Sequence, residues 1–203
     1  TTTKQVAKIY RNATIDDVTG EVTYSDWSEG TWADFTPGPV AGYTASPADV
    51  PAVTVDGETT DQTVNISYTA NDQTTHINYV DKDGKTIKSD TVHGKTGQNV
   101  KTNSEVPAGW KIIDGQVPET IHFTGEGTPD TKIKIEHDTT SVDHTKPIKP
   151  GAKTPSGKEI KGAHESDLNK TITRTINVTT PDGKMTTTKQ VAKIYRNATI
   201  DDV

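Results

Sequence analysis

The sequence predicts a mostly β chain, in part α+β, made of small domains in tandem. Three observations carry this reading. The first is a duplication: TTTKQVAKIYRNATIDDV stands at residues 1–18 and again at residues 186–203. The copies begin at Thr1 and Thr186 and show no mismatch. The chain therefore reads as a window on a tandem array with a period of about 185 residues (Thr1 to Thr186). Solenoid units run roughly 20–50 residues, so each period here must hold whole domains. The second observation is composition. Apolar residues make up 29% and aromatics 5%, against roughly 45–50% apolar in ordinary globular chains. That content does not fit one thick core; small, thin domains with exposed linkers fit it, because small domains bury less of their surface. The third is residue type. Thr, Val and Ile fill the patterned stretches and Leu168 is the only leucine, a composition suited to strands.

The elements follow in order. Residues 1–15 read as a strand, with Val6, Ala7, Ile9 and Tyr10 among polar neighbours. Residues 16–20 are a turn, and residues 21–24 the next strand, with Val22 and Tyr24 on one face. Residues 26–35 hold Trp27, Trp32 and Phe35 without a clean period and read as loop or short helix. Pro37-Gly38-Pro39 breaks that stretch. Residues 41–46, 53–55 and 63–68 are further strands; in the last, Val64, Ile66 and Tyr68 alternate with polar residues. Residues 70–75 are a polar joint. A strand at 76–80, a turn over Asp81-Lys82-Asp83-Gly84-Lys85 and a return strand at 86–92 form a hairpin. Residues 98–104 are a candidate short helix, and residues 109–113, 120–123 and 131–137 are strands.

A second, older duplication lies inside the period. Val40-Ala41-Gly42-Tyr43 answers Pro107-Ala108-Gly109-Trp110, Val53 and Val55 answer Ile121 and Phe123, and Tyr68 answers His137. Tyr43 and Trp110 are thus equivalent, and bulky residues at equivalent places read first as core. The expected division is a first β domain at 1–70, a second at 71–138, a linker (or an extended segment lying on a neighbour) at 139–167 rich in Pro and Gly, and a hairpin at 168–203. In that hairpin Ile172, Arg174, Ile176 and Val178 alternate before a turn at Thr180-Pro181-Asp182-Gly183-Lys184, and the copy of the opening strand returns.

Charge and motifs exclude several functions. The net charge is −6 and the cations are scattered among acids, so the basic face that nucleic acid needs is missing. No apolar run approaches the roughly 18 residues of a membrane span. Cysteine is absent, which removes disulfides and thiolate metal sites. The six histidines, His76, His93, His122, His137, His144 and His164, form neither HxxxH nor HExxH. His93-Gly94-Lys95-Thr96 resembles the end of a phosphate loop, but Ser89 stands where its first glycine is required. Asp81-Lys82-Asp83-Gly84 resembles the start of a calcium loop, yet Lys85 and Val92 occupy two ligand positions, which leaves a tight hairpin turn. No pair of carboxylates suits acid–base work. The expectation is no enzyme, no cofactor and no metal. Trp27, Trp32 and Phe35 are the candidate ligand-binding residues: they either cap the first domain's core or form an exposed stacking platform for sugars.

Two stretches then resemble a known family. The run His76-Ile77-Asn78-Tyr79-Val80-Asp81-Lys82-Asp83-Gly84-Lys85, with Gly94-Lys95-Thr96-Gly97, Val106-Pro107-Ala108-Gly109-Trp110 and Ile133-Lys134-Ile135, resembles the MucBP (mucin-binding) domain. Trp110 stands where that family more often has Tyr. Arg11-Asn12-Ala13-Thr14-Ile15-Asp16-Asp17-Val18-Thr19-Gly20 with Asp26-Trp27 resembles the companion domain of mucus-binding (Mub) repeats of lactobacilli. The resemblance implies two tandem ubiquitin-like β-grasp domains in an elongated, Gram-positive, cell-wall-anchored adhesin. It implies binding to mucin glycans and, in some relatives, to immunoglobulins.

The expected function is therefore multivalent adhesion through weak contacts, since linked copies raise apparent affinity by about 10²–10⁴. The alternatives are a non-binding stalk and, from another class, a glycan-processing enzyme. One structural expectation follows from the duplication. Residues 1–10 lack the strand that precedes their copy, so residues 171–195 are expected to fill the gap by head-to-tail strand exchange between chains.

Overall fold

The computed structural model describes all of residues 1–203. It is almost entirely β. In chain order the strands are β1 (Ala13–Ile15), β2 (Val22–Tyr24), β3 (Gly30–Trp32), β4 (Tyr43–Ser46), β5 (Val53–Val55), β6 (Ser67–Ala70), β7 (Asp72–Val80) and β8 (Thr86–Lys95). They continue as β9 (Asn99–Lys101), β10 (Trp110–Asp114), β11 (Thr120–His122), β12 (Thr131–His137) and β13 (Thr139–Val142). One short helix, α1 (Glu165–Leu168), precedes β14 (Asn169–Thr179), β15 (Met185–Tyr195) and β16 (Ala198–Asp201). One sheet has four strands, ordered β10-β12-β7-β8; the other six sheets have two strands each. The chain divides into two compact units, each assembled from separate stretches.

The first unit contains Thr1–Thr74, His93–Val100 and His122–Thr128. Its strands are three or four residues long because apolar residues occur in ones and twos. β1 and β2 make a hairpin with Ala13 opposite Tyr24 and Ile15 opposite Val22. Asp16 closes its turn, accepting from the Val18 and Thr19 amides at 2.8 and 3.1 Å. β3 pairs with β5, Trp32 opposite Val53, and β4 pairs with β6, Tyr43 opposite Ala70. Val55 and Phe123 are the buried apolar residues. Gly94 lets the Phe123 ring seat itself: a Cβ there would lie 2.3 Å from the ring.

The second unit holds the thicker core. Thr75, Ile77 and Tyr79 of β7 alternate inward, as do Ile133 and Ile135 of β12. The two strands run parallel with Ile77 opposite Thr131 and Tyr79 opposite Ile133. Antiparallel β10 flanks β12, with Trp110 opposite His137. The buried Tyr79 hydroxyl meets Ser104 Oγ at 2.7 Å, and Ser104 donates to Asp90 at 2.6 Å. Burial works to raise the Asp90 carboxyl, but the Lys88 and Ser104 hydrogen bonds outweigh it and hold the pKa below the ordinary value.

Several sequence expectations are corrected. Residues 26–35 are not loop or helix throughout: Gly30–Trp32 is a strand because β5 lies beside it. The strand expected at 63–68 is found instead at Ser67–Ala70, and Val64 is exposed. The candidate helix at 98–104 is instead strand β9, paired with β11. Residues 139–167 are not a bare linker. Val142, Ala163 and Leu168 form a small buried cluster there, backed by Ile148, Ala198 and Ile200.

The internal duplication is visible as a repeated corner. Gly42 and Gly109 both take positive φ, 78° and 84°. Behind them Tyr43 N–H donates to Val40 O at 3.0 Å and Trp110 N–H to Pro107 O at 3.1 Å. Gly42 O accepts from Asn71 N–H at 2.9 Å and Gly109 O from Asp138 N–H at 2.8 Å. Tyr43 and Trp110 are half-buried rather than core, with Trp110 edge-on to His137 at 4.5 Å.

The larger duplication behaves differently in its two places. Residues 186–195 lie within β15, paired along their whole length with β14. The identical residues 1–10 form no strand. The hairpin β14–β15 is a two-stranded sheet of its own, exposed at nearly every residue, so residues 171–195 do not fill the gap within one chain.

Candidate functional site

The three candidate residues separate into two places. Trp27 follows β2 and is 44% exposed. It lies against the backbone at Gly57, where a Cβ would come within 2.1 Å of its ring. Trp32 and Phe35 are half-buried partners of the sheet: Trp32 pairs with Val53, and Phe35 exchanges backbone hydrogen bonds with Val50 at 2.8 and 2.9 Å. The structure instead gathers Trp27 with Tyr24 and Arg11. The Arg11 guanidinium stands 3.9 Å from the Tyr24 ring centre and 4.7 Å from that of Trp27. A cation over exposed aromatic faces contributes about 0.5–1 kcal/mol and holds the rings in place.

Arg11 and Tyr24 escaped the sequence reading, though a signal for them existed. The turn at residues 16–20 sets the β1–β2 register, which puts Arg11 diagonal to Tyr24 on one face. Trp27 is three residues further along.

No catalytic arrangement forms around the other polar residues. Five of the six histidine rings are hydrogen-bonded: His76 to Asp130 at 3.1 Å, His137 to Asp201 at 2.8 Å, His122 to Asn99 at 2.8 Å and His93 to Thr74 at 3.0 Å, with His164 as the fifth. His144 lies beside Asp143 at 3.2 Å, and His164 Nδ1 meets Ile148 O at 3.0 Å. The carboxylates serve turns. Asp81 accepts from the amides of Asp83 and Lys85 at 3.0 and 2.9 Å, which fixes the hairpin turn that resembled a calcium loop. Backbone donation from Thr19 and Val18 lowers the pKa of Asp16, and the His76 amide and ring do the same for Asp130. No group of three His, Asp or Glu side chains converges on a point. A depression of about 310 Å³ beside Ser166, Leu168, Tyr195 and Arg196 is open to solvent. The surface offers an aromatic and cationic face of Arg11, Tyr24 and Trp27.

The short β1–β2 hairpin, its Asp16 turn and the Trp27 stretch all lie within residues 1–72, which match a family model, the Muc B2-like domain. These residues are similar to the Muc B2-like domain. The matched residues include Arg11, Tyr24 and Trp27, and also Trp32 and Phe35. Among solved structures the chain is similar to the type 2 repeat of the mucus binding protein MUB from Lactobacillus reuteri. That likeness has 18% identity, covers 64% of this chain and 69% of that one, and has a TM-score of 0.31. No curated protein matches the chain.

Proposed function

We propose that this chain is a repeat of an extracellular, cell-wall-anchored adhesin and that it binds host mucin glycoproteins through their glycans. The match of residues 1–72 to the Muc B2-like domain is the observation that carries the reading. The duplicated ends support it, because a tandem array multiplies weak contacts. The contact face is Trp27 with Tyr24 and Arg11: a sugar ring lays its apolar face on an aromatic ring, and the guanidinium donates to hydroxyl or acidic groups of the glycan.

The test is binding of the purified chain to immobilised mucin, before and after enzymatic deglycosylation, beside Trp27→Ala. Binding that falls at least several-fold with either change supports the proposal. A chain that binds neither form of mucin, singly or in linked copies, acts as a stalk. Binding that survives both changes places the contact on protein surface elsewhere.

A further inference from the structure

The ordered stretch between β13 and α1 carries a charge of opposite sign to the chain as a whole. Between residues 146 and 161 stand Lys146, Lys149, Lys153, Lys158 and Lys161 against one acid, Glu159, in a chain of net charge −6. Elsewhere lysines sit beside carboxylates, as Lys95 with Asp72 at 2.6 Å and Lys134 with Asp114 at 3.1 Å. The cations that are scattered along the rest of the sequence are concentrated here.

The stretch folds back on itself. Ile148 N–H donates to Ala163 O at 2.8 Å, Ile160 N–H to Ala152 O at 2.9 Å and Thr154 N–H to Lys158 O at 2.8 Å. Lys146, Lys149 and Lys153 therefore stand on one arm and Lys158 and Lys161 on the other, with a turn at residues 155–157. The backbone is anchored. Ile148 packs on the cluster of Val142, Ala163 and Leu168, and Ser156 N–H donates to Asp202 O at 3.2 Å. Pro147, Pro150 and Pro155 fix φ at three places. The ammonium groups are less engaged. Lys153 faces Glu159 across an isolated bridge, and Lys158 stands near Asp201. Asp143, three residues before Lys146, is taken up by Thr145 and His144. Lys146, Lys149 and Lys161 are exposed and enter no ion pair.

The residue types define what such a surface selects. A lysine ammonium is a compact charge on a flexible stem, without the planar fork by which arginine matches one phosphate or carboxylate. Several lysines on a fixed backbone respond to the number of anionic groups rather than to the shape of one. A chain with repeated anionic groups meets all of them, whereas a small anion meets one or two. No aromatic side chain lies between residues 146 and 161, so the stacking platform that single-stranded nucleic acid uses is missing. Duplex DNA carries a charge about every 1.7 Å, a density unsuited to a patch with Glu159 inside it and Asp143 and Glu165 at its borders. The tip offers hydroxyls instead. Thr154 Oγ1 and Ser156 Oγ are 2.8 Å apart on exposed residues, and hydroxyls both donate to and accept from the hydroxyls of a sugar.

We propose that the hairpin of residues 146–161 binds an acidic polysaccharide, with sulfate or carboxylate groups repeated along a flexible chain, and that Lys146, Lys149 and Lys161 are its main contacts. This site lies in the second unit and uses charge. The face of Arg11, Tyr24 and Trp27 lies in the first unit and uses stacking, so neither reading depends on the other.

Immobilised chondroitin sulfate is the probe, with uncharged dextran as the blank and biolayer interferometry as the readout. The full chain is expected to bind chondroitin sulfate and not dextran, and to bind less as salt rises through about 0.1 M, where charges are screened over about 10 Å. Lys146→Gln, Lys149→Gln and Lys161→Gln together are expected to weaken binding at least several-fold. Arginine at the same three positions is expected to retain it. Lys82→Gln, Lys85→Gln and Lys132→Gln remove the same charge from exposed positions elsewhere in the second unit and are expected to leave binding largely unchanged. Trp27→Ala is expected to leave it unchanged too, so a failure of the stacking face on mucin is read separately. A parent chain that does not bind chondroitin sulfate overturns the proposal. Equal losses in the two glutamine triples also overturn it, because net charge alone would then account for binding. Duplex DNA bound as tightly as chondroitin sulfate overturns the assignment to a polysaccharide.

Discussion

At the scale of single residues, contacts between distant segments decide what the sequence shows and what it hides. Ile77, Tyr79, Ile133 and Ile135 are legible as core because each alternates with polar neighbours in its own strand, and all four are fully buried. Phe123 is equally buried, but the reason lies 29 residues upstream at Gly94, whose missing side chain makes the space. Nothing local marks that pairing. Gly94→Ala places a methyl 2.3 Å from the ring, so overpacking of about 1–3 kcal/mol is expected, measured as a lowered midpoint in urea unfolding. Gly157→Ala is the contrast, since open space surrounds it and only its φ of 93° opposes a side chain; about 1 kcal/mol is expected there. Equal losses at the two positions would remove the packing argument. Tyr79→Phe deletes the hydroxyl that meets Ser104 inside the unit, and a loss of about 1 kcal/mol in the same measurement is expected.

At the scale of elements, the duplicated segment is a controlled comparison of sequence against surroundings. TTTKQVAKIY is a strand at residues 186–195, where β14 offers a ladder, and not at residues 1–10, where no strand does. Local propensity is identical in the two places, so the partner decides. Amide hydrogen exchange resolved by residue is expected to be slower at Ala192 and Ile194, whose N–H groups face β14, than at Ala7 and Ile9; equal rates would mean that the hairpin does not hold. The same principle explains the corrected elements. Trp27 to Phe35 shows no period because β3 is only three residues long and owes its pairing to β5. Residues 98–104 are short and polar enough to read as helix, but β11 beside β9 supplies strand hydrogen bonds. Residues 139–167 lack periodicity, yet a cluster forms because Ala198 and Ile200 arrive from the far end of the chain. Of the candidate site, Trp27 stood out in the sequence as an aromatic in a polar stretch, with core cap and exposed platform both open. Its partners Arg11 and Tyr24 required the hairpin register.

At the scale of the whole molecule, small cores leave much of the order to turns, and the turns depend on ionised aspartates. Asp16, Asp56, Asp130, Asp143, Asp182 and Asp201 all have pKa values lowered from 3.8. The leading causes are hydrogen bonds: from the Thr19 amide to Asp16, from the Thr59 hydroxyl to Asp56, from the His76 amide to Asp130 and from the His137 ring to Asp201. The hydroxyls of Thr145 and Thr180 act on Asp143 and Asp182. A carboxyl whose pKa is lower folded than unfolded stabilises the fold above the unfolded value; protonation removes that contribution as pH falls through the folded value. Stability is therefore expected to change little on account of these groups between pH 7 and pH 5, and to fall as pH drops below 3.8. Because hydrogen bonds lead, moderate salt is expected to leave most of the decline in place, whereas simple charge attraction would be screened over about 10 Å at 0.1 M. Urea unfolding at pH 7, 5 and 3, each at low and high salt, checks both statements. Rising stability toward acid would reverse the sign of the carboxylate contribution. A decline abolished by salt would assign it to charge pairs instead, and Asp201 with His137, which joins the second copy to its surface, would then be the first contact to examine.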